Sequence, residues 1–498
     1  MRYSQARSGV RYALLAISLS LAGLTGPVSA GKAGSSPNTA DNPETGKQGE
    51  TLPGEEKVLD RPYSKGVNVI GHSPIDGREG NLIMAWAGNC AYVANGVTLD
   101  KNGSLQVQGI GPTSGVAVID ASEPAQPRVT RYLQDKGAIS ATETLHAVTI
   151  GRRSILAASN YGGVIGMSAP KEGWLSLYDV TDCANPRLLS EVKWPEPVHT
   201  LTVSPSGRFV YGPLLDPFNG LGGIEVMDIS DPTQPRFVGK FEATRSDGTS
   251  FQFSPHELVF SPDERRIYVG VVNSSGGDLN RHFKNTKPGV PSAESVGPDA
   301  GGIYIFDNTD FALGRPSPKL RLIGTAQQAG WHSPVRARIG GRPYLVNAGE
   351  LGACPGAWPR ITSIADERKP RAVGEFRLAM NQPENCPERT AMEKGSGGLI
   401  GRPGTASTHF QDVDDAANTR LGLFSFMFAG LRIADLRNPQ APREVAYFKP
   451  GDPCMSHVRY VRRTGHIWFA CGSSGFYVIE LKPELRRQLR LPRIATKH

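Results

Sequence analysis

Six histidines of this 498-residue chain keep one distance from an apolar residue downstream. His146, His199, His256, His332, His409 and His457 stand twelve residues ahead of Ala158, Tyr211, Tyr268, Tyr344, Leu421 and Phe469. A seventh, His72, falls in the stretch leading to Gly80, which holds the equivalent place in an earlier segment. Neutral imidazole is the commonest side-chain ligand of zinc, copper, iron and nickel, and ligands delivered by separate rigid strands hold a geometry well. These rings therefore read as ligands of a transition metal at one convergent site. An all-imidazole set suits copper or iron and leaves positions open for oxygen or a small-molecule substrate. One ion takes only some of the rings, so the others must orient ligands or bind substrate. The same spacing also arises where a histidine merely hydrogen-bonds neighbouring strands. That use brings fixed partners, a Gly-His and a Trp-Asp pair, and no such pair recurs here.

Glu143, Glu196, Asp216 and Glu350 are the acids placed to orient such ligands or carry protons. Cys454 and Met455, just ahead of His457, have two readings: soft ligands for cuprous copper, or a Cys454–Cys471 disulfide beside a core methionine. The disulfide is the stronger, because the two cysteines flank a hairpin symmetrically about Arg462 and Arg463. Cys90 with Cys183, and Cys354 with Cys386, follow by elimination. No phosphate-cradling glycine loop, nucleophile elbow or helical zinc motif competes with the histidines.

The elements that must hold these rings recur along the chain. A short β-rich run ends in an acid, a turn follows, and proline with arginine opens a second run. VAVIDASEPAQPRVTRYL, LSLYDVTDCANPRLLSEV and IEVMDISDPTQPRFVGKF are three of the copies. Asp120 to Pro127, Asp179 to Pro186, Asp228 to Pro235 and Asp435 to Pro442 keep identical spacing. Alternating Val, Ile, Leu, Tyr and Phe punctuated by Asp, Asn, Pro and Gly is strand, turn, strand. Another such pair precedes each hairpin, as in HTLTVSPSGRFVYG. Four antiparallel strands per repeat describe the blades of a β-propeller. The acidic markers Asp120, Asp179, Asp228, Asp307, Asp366, Asp435 and Glu480 count seven of them. The fold class is thus all-β, a seven-bladed propeller over 58–485. The last blade lacks a fourth strand, and the orphan run GVNVIGHS (66–73) is expected to supply it and latch the ring.

The repeats resemble the LVIVD-repeat propellers of exported bacterial proteins over roughly residues 66–481. The resemblance implies fold and compartment and little chemistry. The histidines at inner-strand starts are also similar, in outline, to those of the selenium-binding protein and methanethiol oxidase propellers, which implies copper; the paired His and Cys segments of that family are missing here. Four-histidine iron oxygenases and the streptogramin-opening lyases share the seven-bladed frame. The leading expectation is a metal-dependent oxidoreductase. The alternatives are a propeller lyase and a non-catalytic propeller that binds a protein or cell-envelope partner.

The ends of the chain bear on compartment. Arg2, Arg7 and Arg11, the apolar run Ala13 to Leu24 and Val28-Ser29-Ala30 read as an export signal over 1–30. Residues 31–57 lack large apolar side chains and read as a flexible leader. Residues 486–498 form a basic tail with Arg486, Arg487, Arg490 and Arg493. The formal charge of +8 is otherwise spread, so no nucleic-acid partner is expected, and no later run is long enough to span a membrane. Periplasm or secretion is the expected location. The long loops 272–301 and 379–408 are expected to roof the histidines.

Overall fold

The computed structural model describes residues 39–44, 62–95, 110–162, 172–216, 221–274, 301–327, 332–349, 358–379, 382, 408–427 and 429–492, with the short strands Val97–Leu99 and Leu105–Val107. The fold is a seven-bladed β-propeller whose blades are built on four antiparallel strands, in chain order from the axis outward in blades 1 to 6, with the short strands Ala243–Thr244 and Ser250–Phe251 added at the outer edge of blade 4. The inner strands are Asn81–Ala87, Leu145–Ile150, Thr202–Val203, Phe253–Phe260, Pro334–Ile339, Thr408–Val413 and Arg459–Val461, for blades 1 to 7. Their neighbours carry the continuous apolar runs that a strand buried on both faces requires, such as Cys90–Asn95 and Leu421–Phe426, which are buried throughout.

The ring closes as expected. Val67–Ser73 pairs antiparallel with Gly475–Leu481 and becomes the outer strand of blade 7. A second N-terminal strand, Tyr63–Lys65, adds a fifth strand to blade 6 by pairing with Arg443–Lys449. The leader is anchored over 39–44, contrary to the expectation of flexibility throughout 31–57. Asp41 accepts the Gly66 N–H and pairs with Lys482 at 2.9 Å, while Glu44 holds the fully buried Arg432 at 2.5 and 3.0 Å. Composition registers the lack of apolar residues there but not a buried guanidinium waiting for a carboxylate. The basic tail also begins as structure: Pro483–Gln488 is helical, Leu489 is buried, and Arg486 donates to the Tyr460 hydroxyl at 3.1 Å.

The acidic-to-proline turns of the repeat dock one blade on the next. In blades 1 and 2 a hydroxyl of the outer strand reaches the following turn, Thr130 to the Ala184 carbonyl at 3.0 Å and Ser190 to that of Pro232 at 2.6 Å. In the latch strand and in blades 4 and 5 glycine stands in this place. A Cβ at Gly71, Gly324 or Gly374 would overlap the carbonyl oxygen of Pro124, Glu367 or Pro439. Backbone meets backbone there, so the contact has nowhere to relax. Gly374→Val should cost about 3 kcal/mol and lower the thermal midpoint by several degrees; an unchanged melt would show the blades free to part. Cys90–Cys183 staples blade 1 to the turn of blade 2, and Cys454–Cys471 closes the last blade, both as expected. Cys354 and Cys386 lie outside the described residues.

Candidate metal centre

Equal spacing in sequence brings the six histidines to the inner strands, but local backbone decides how deep each ring sits. Register breaks flank Pro255 in blade 4 and fall between Thr408 and Gln411 in blade 6, so His256 and His409 occupy bulges. Bulges re-aim a side chain. His199 and His332 precede the paired parts of their strands, their N–H groups donating to Pro213 and Ala348 at 2.8 and 3.2 Å. His146, by contrast, lies in an unbroken ladder opposite Ala157.

Four rings from consecutive blades therefore meet. His199, His256, His332 and His409 are all buried, with ring centroids 4.6, 3.7 and 4.5 Å apart in that order. Glu143, from the segment entering blade 2, places its carboxylate among them. Its Oε2 is 3.6 Å from Nε2 of both His199 and His256, and its Oε1 is 3.5 Å from Nε2 of His409. Ligand atoms of Glu143, His256 and His332 all lie within 4.8 Å of one another. Sequence offers Glu143 only as one acid of four. Of the rest, Glu196 pairs with Lys240 at 3.0 Å, Asp216 is buried in the second strand of blade 3, and Glu350 lies outside the described residues.

The polarity of this cluster is unusual. His409 must donate from Nδ1, because its partner there is the Met455 carbonyl at 2.7 Å, so a neutral ring turns the Nε2 lone pair on the Glu143 carboxylate. His199 and His256 meet Nε2 to Nε2 at 3.1 Å, a hydrogen bond when one ring carries its proton there. Acceptors facing acceptors in a buried site call for a cation between them, a proton or a metal. Burial alone would push the Glu143 carboxyl up, yet a proton held between it and His409, and the charges of His409, His199 and His256 when protonated, pull it down to about 2. Burial, with mutual repulsion, holds His256 and His332 well below the usual imidazole range. Donor separations of 3.1 to 3.6 Å are those of atoms sharing one ion with bonds of about 2.1 Å. The residues fit a transition-metal ion.

No family model matches this chain, and no curated protein matches it. Among solved structures, the chain is similar to the β-propeller domain of Cps50 (Swd1) from Myceliophteria thermophila, with 12% identity, a TM-score of 0.47, and coverage of 83% of this chain and 98% of that one. A Bacteroides uniformis protein provisionally assigned as a 6-phosphogluconolactonase is similar at 12% identity and a TM-score of 0.47, over 80% of this chain and 92% of that one. At such identity the chemistry rests on the site alone.

The remaining histidines go elsewhere. His72 is not brought to the axis: it stands in the latch strand, exposed, stacked on Tyr477 with centroids 4.4 Å apart and bonded to the Ser474 carbonyl. The latch is the outermost strand of its blade, about three strand spacings or 14 Å from the inner one. His146 and His457 line an axial chamber of about 340 Å³ instead. All seven blades contribute to it, with Trp86, His146, Thr202, Glu257, Arg336, Asp412 and His457 in order. In blades 3 to 6 these residues follow the clustered histidines along the chain, so the chamber lies below the cluster. Phe410 touches both levels, its ring 4.4 Å from His409, 4.8 Å from His332 and 3.9 Å from His457. Tyr161 packs on His199 at 4.9 Å. Neither aromatic carries a spacing signal, though Phe410 adjoins a patterned histidine. Cys454 is in its disulfide, and Met455 meets the site through its carbonyl. Most of the expected roofing loops lies outside the described residues.

Acid should unfold this arrangement through the lower level as well. Burial, helped by the charge of His457, lowers His146 to about 4, and its Nδ1 accepts the Val203 N–H at 3.3 Å. An unfolded histidine titrates near 6.5, so between about pH 6.5 and 4 the unfolded chain binds a proton the native chain refuses. Stability is then full above that window and falls as pH drops through it, by at most about 3 kcal/mol for this residue. Thermal midpoints of the wild type should fall more steeply across that window than those of His146→Leu; parallel slopes would remove His146 from the account.

Proposed function

We propose that this chain is an exported metal-dependent oxidoreductase whose copper or iron ion is held by His199, His256, His332 and His409 with Glu143. The observation that carries the reading is the convergence of four buried imidazoles on one buried carboxylate, with the His409 Nε2 lone pair turned on Glu143 where a cation would sit between them. When bound, such an ion supplies electron transfer and a Lewis-acidic position. The residues do the rest. The four imidazoles bind, each from a different blade, so the rigidity of the ring becomes rigidity of the site. Glu143 offsets the ion's charge. The Met455 carbonyl fixes the His409 tautomer, Tyr161 braces His199, and Phe410 packs against His332 and His409. A small molecule is the expected substrate class, and the two disulfides support an oxidising compartment. Among the described residues no helix is long and apolar enough to cross a membrane.

Metal analysis of protein exported to a bacterial periplasm tests the reading. Near-stoichiometric copper or iron is expected in the wild type, with less than about a tenth of it in His256→Ala and His332→Ala. Fully folded wild-type protein that acquires neither metal on reconstitution would overturn it.

A further inference from the structure

The axial chamber below Phe410 has no part in the proposed metal chemistry, yet its charges are arranged as for a ligand. Two carboxylates and one guanidinium face it. Glu257 is occupied by His457 at 2.9 Å. Burial pushes the Asp412 carboxyl up to about 7, so it carries only part of a charge near neutrality. Arg336 is different. Its Nε–H is buried with no hydrogen-bond partner, and the side chain makes no ion pair among the described residues. Burial depresses its basicity, with Tyr268 and Asp263 acting weakly against that. A guanidinium does not shed its proton in this range, and leaving the Nε–H unmet in a partly dry wall costs free energy that an acceptor would return. The rest of the wall is largely apolar, including Trp86, Leu145, Val203 and Leu258.

We propose that this chamber binds a small organic acid, its carboxylate taken by Arg336 and its apolar body by Trp86, Leu145, Val203 and Leu258. A monoanion matches one unpaired guanidinium, and the planar fork suits a carboxylate in two-point contact. A phosphate dianion would leave excess charge beside Glu257 and Asp412. The volume, about 340 Å³, lies at the small end of ligand pockets and admits a compact acid. The site is separate from the metal centre, and its ligand is expected to bind whether or not metal is present.

Octanoate, with octan-1-ol and octylamine as uncharged and cationic controls, is the probe. Isothermal titration of the full chain should give a dissociation constant for octanoate below about 1 mM, at least tenfold tighter than for either control. Tryptophan fluorescence should change on binding, and the change should shrink in Trp86→Phe. Arg336→Met should weaken octanoate at least tenfold and leave octan-1-ol unaltered, while Arg336→Lys, which keeps the charge, should recover part of the loss. Metal content, measured on the same samples, should not move. The proposal is overturned if octylamine binds as well as octanoate, if no probe binds below about 10 mM, or if folded Arg336→Met and Arg336→Lys both keep the wild-type affinity.

Discussion

A chain that begins at Pro74 is expected to lose the folded ring altogether. Removing Val67–Ser73 leaves the Gly475–Leu481 strand of blade 7 as an unpaired edge, and removing Tyr63–Lys65 bares the outer strand of blade 6 as well. Unpaired edges of this kind template aggregation. The buried side chains of Tyr63 and Val67 go too, and with Gly71 goes the contact that seats blade 7 on the turn of blade 1. A shorter truncation, to Pro62, spares both strands but removes Glu44. Arg432 is then left buried with Glu444, at 3.2 Å, as its one anionic partner among the described residues. Breaking a buried pair from one side costs about 3 to 5 kcal/mol. Size-exclusion chromatography and thermal melts should rank the two: the chain from Pro62 folded but less stable by that amount, the chain from Pro74 aggregated. A soluble, cooperatively melting chain from Pro74 would mean that blade 7 closes the ring without its fourth strand.

The ring was legible because its signals are periodic. Strand alternation, the acid-to-proline turns and the absent fourth strand of blade 7 are all local patterns whose spatial meaning follows from pairing rules alone. Even the latch was legible, as an orphan run over 66–73 resembling the outer strands, and the structure puts its Gly71 in the place of Gly324 and Gly374. The site was legible only in part. A spacing of twelve residues places a histidine at the inner strand, but two bulges and two unpaired strand starts send four rings to the cluster, while His146, in a regular ladder, faces the chamber. Bulges leave no mark in composition. Glu143 has no periodic counterpart, so its convergence on four rings is a property of the closed ring. His72 misled because nearness in sequence to the inner strand of blade 1 is not nearness in space when the intervening segment starts on an outer strand. The pinned leader was missed for a related reason: Arg432, its anchor, lies 388 residues away.

Glu143→Gln should separate metal binding from folding more cleanly than any histidine substitution. In the metal-free wild type a buried carboxylate faces His409 Nε2, which the bond from His409 Nδ1 to the Met455 carbonyl has turned into an acceptor. The amide of glutamine keeps the shape, removes the charge and offers an N–H donor to that lone pair. Metal-free Glu143→Gln should therefore melt at or above the midpoint of the metal-free wild type. With metal the order reverses. At a thousandfold excess of free ion over the dissociation constant, a bound ion adds about 4 kcal/mol to the wild type. Losing one anionic partner costs about 10- to 100-fold in affinity, so the variant should gain about 1.4 to 2.8 kcal/mol less at the same concentration. Two melts of each protein, after chelation and after reconstitution with ferrous or cupric ion, give the comparison. If chelated Glu143→Gln is the less stable of the two, the carboxylate is a structural partner of protonated histidines, and the cation that reconciles the cluster is a proton.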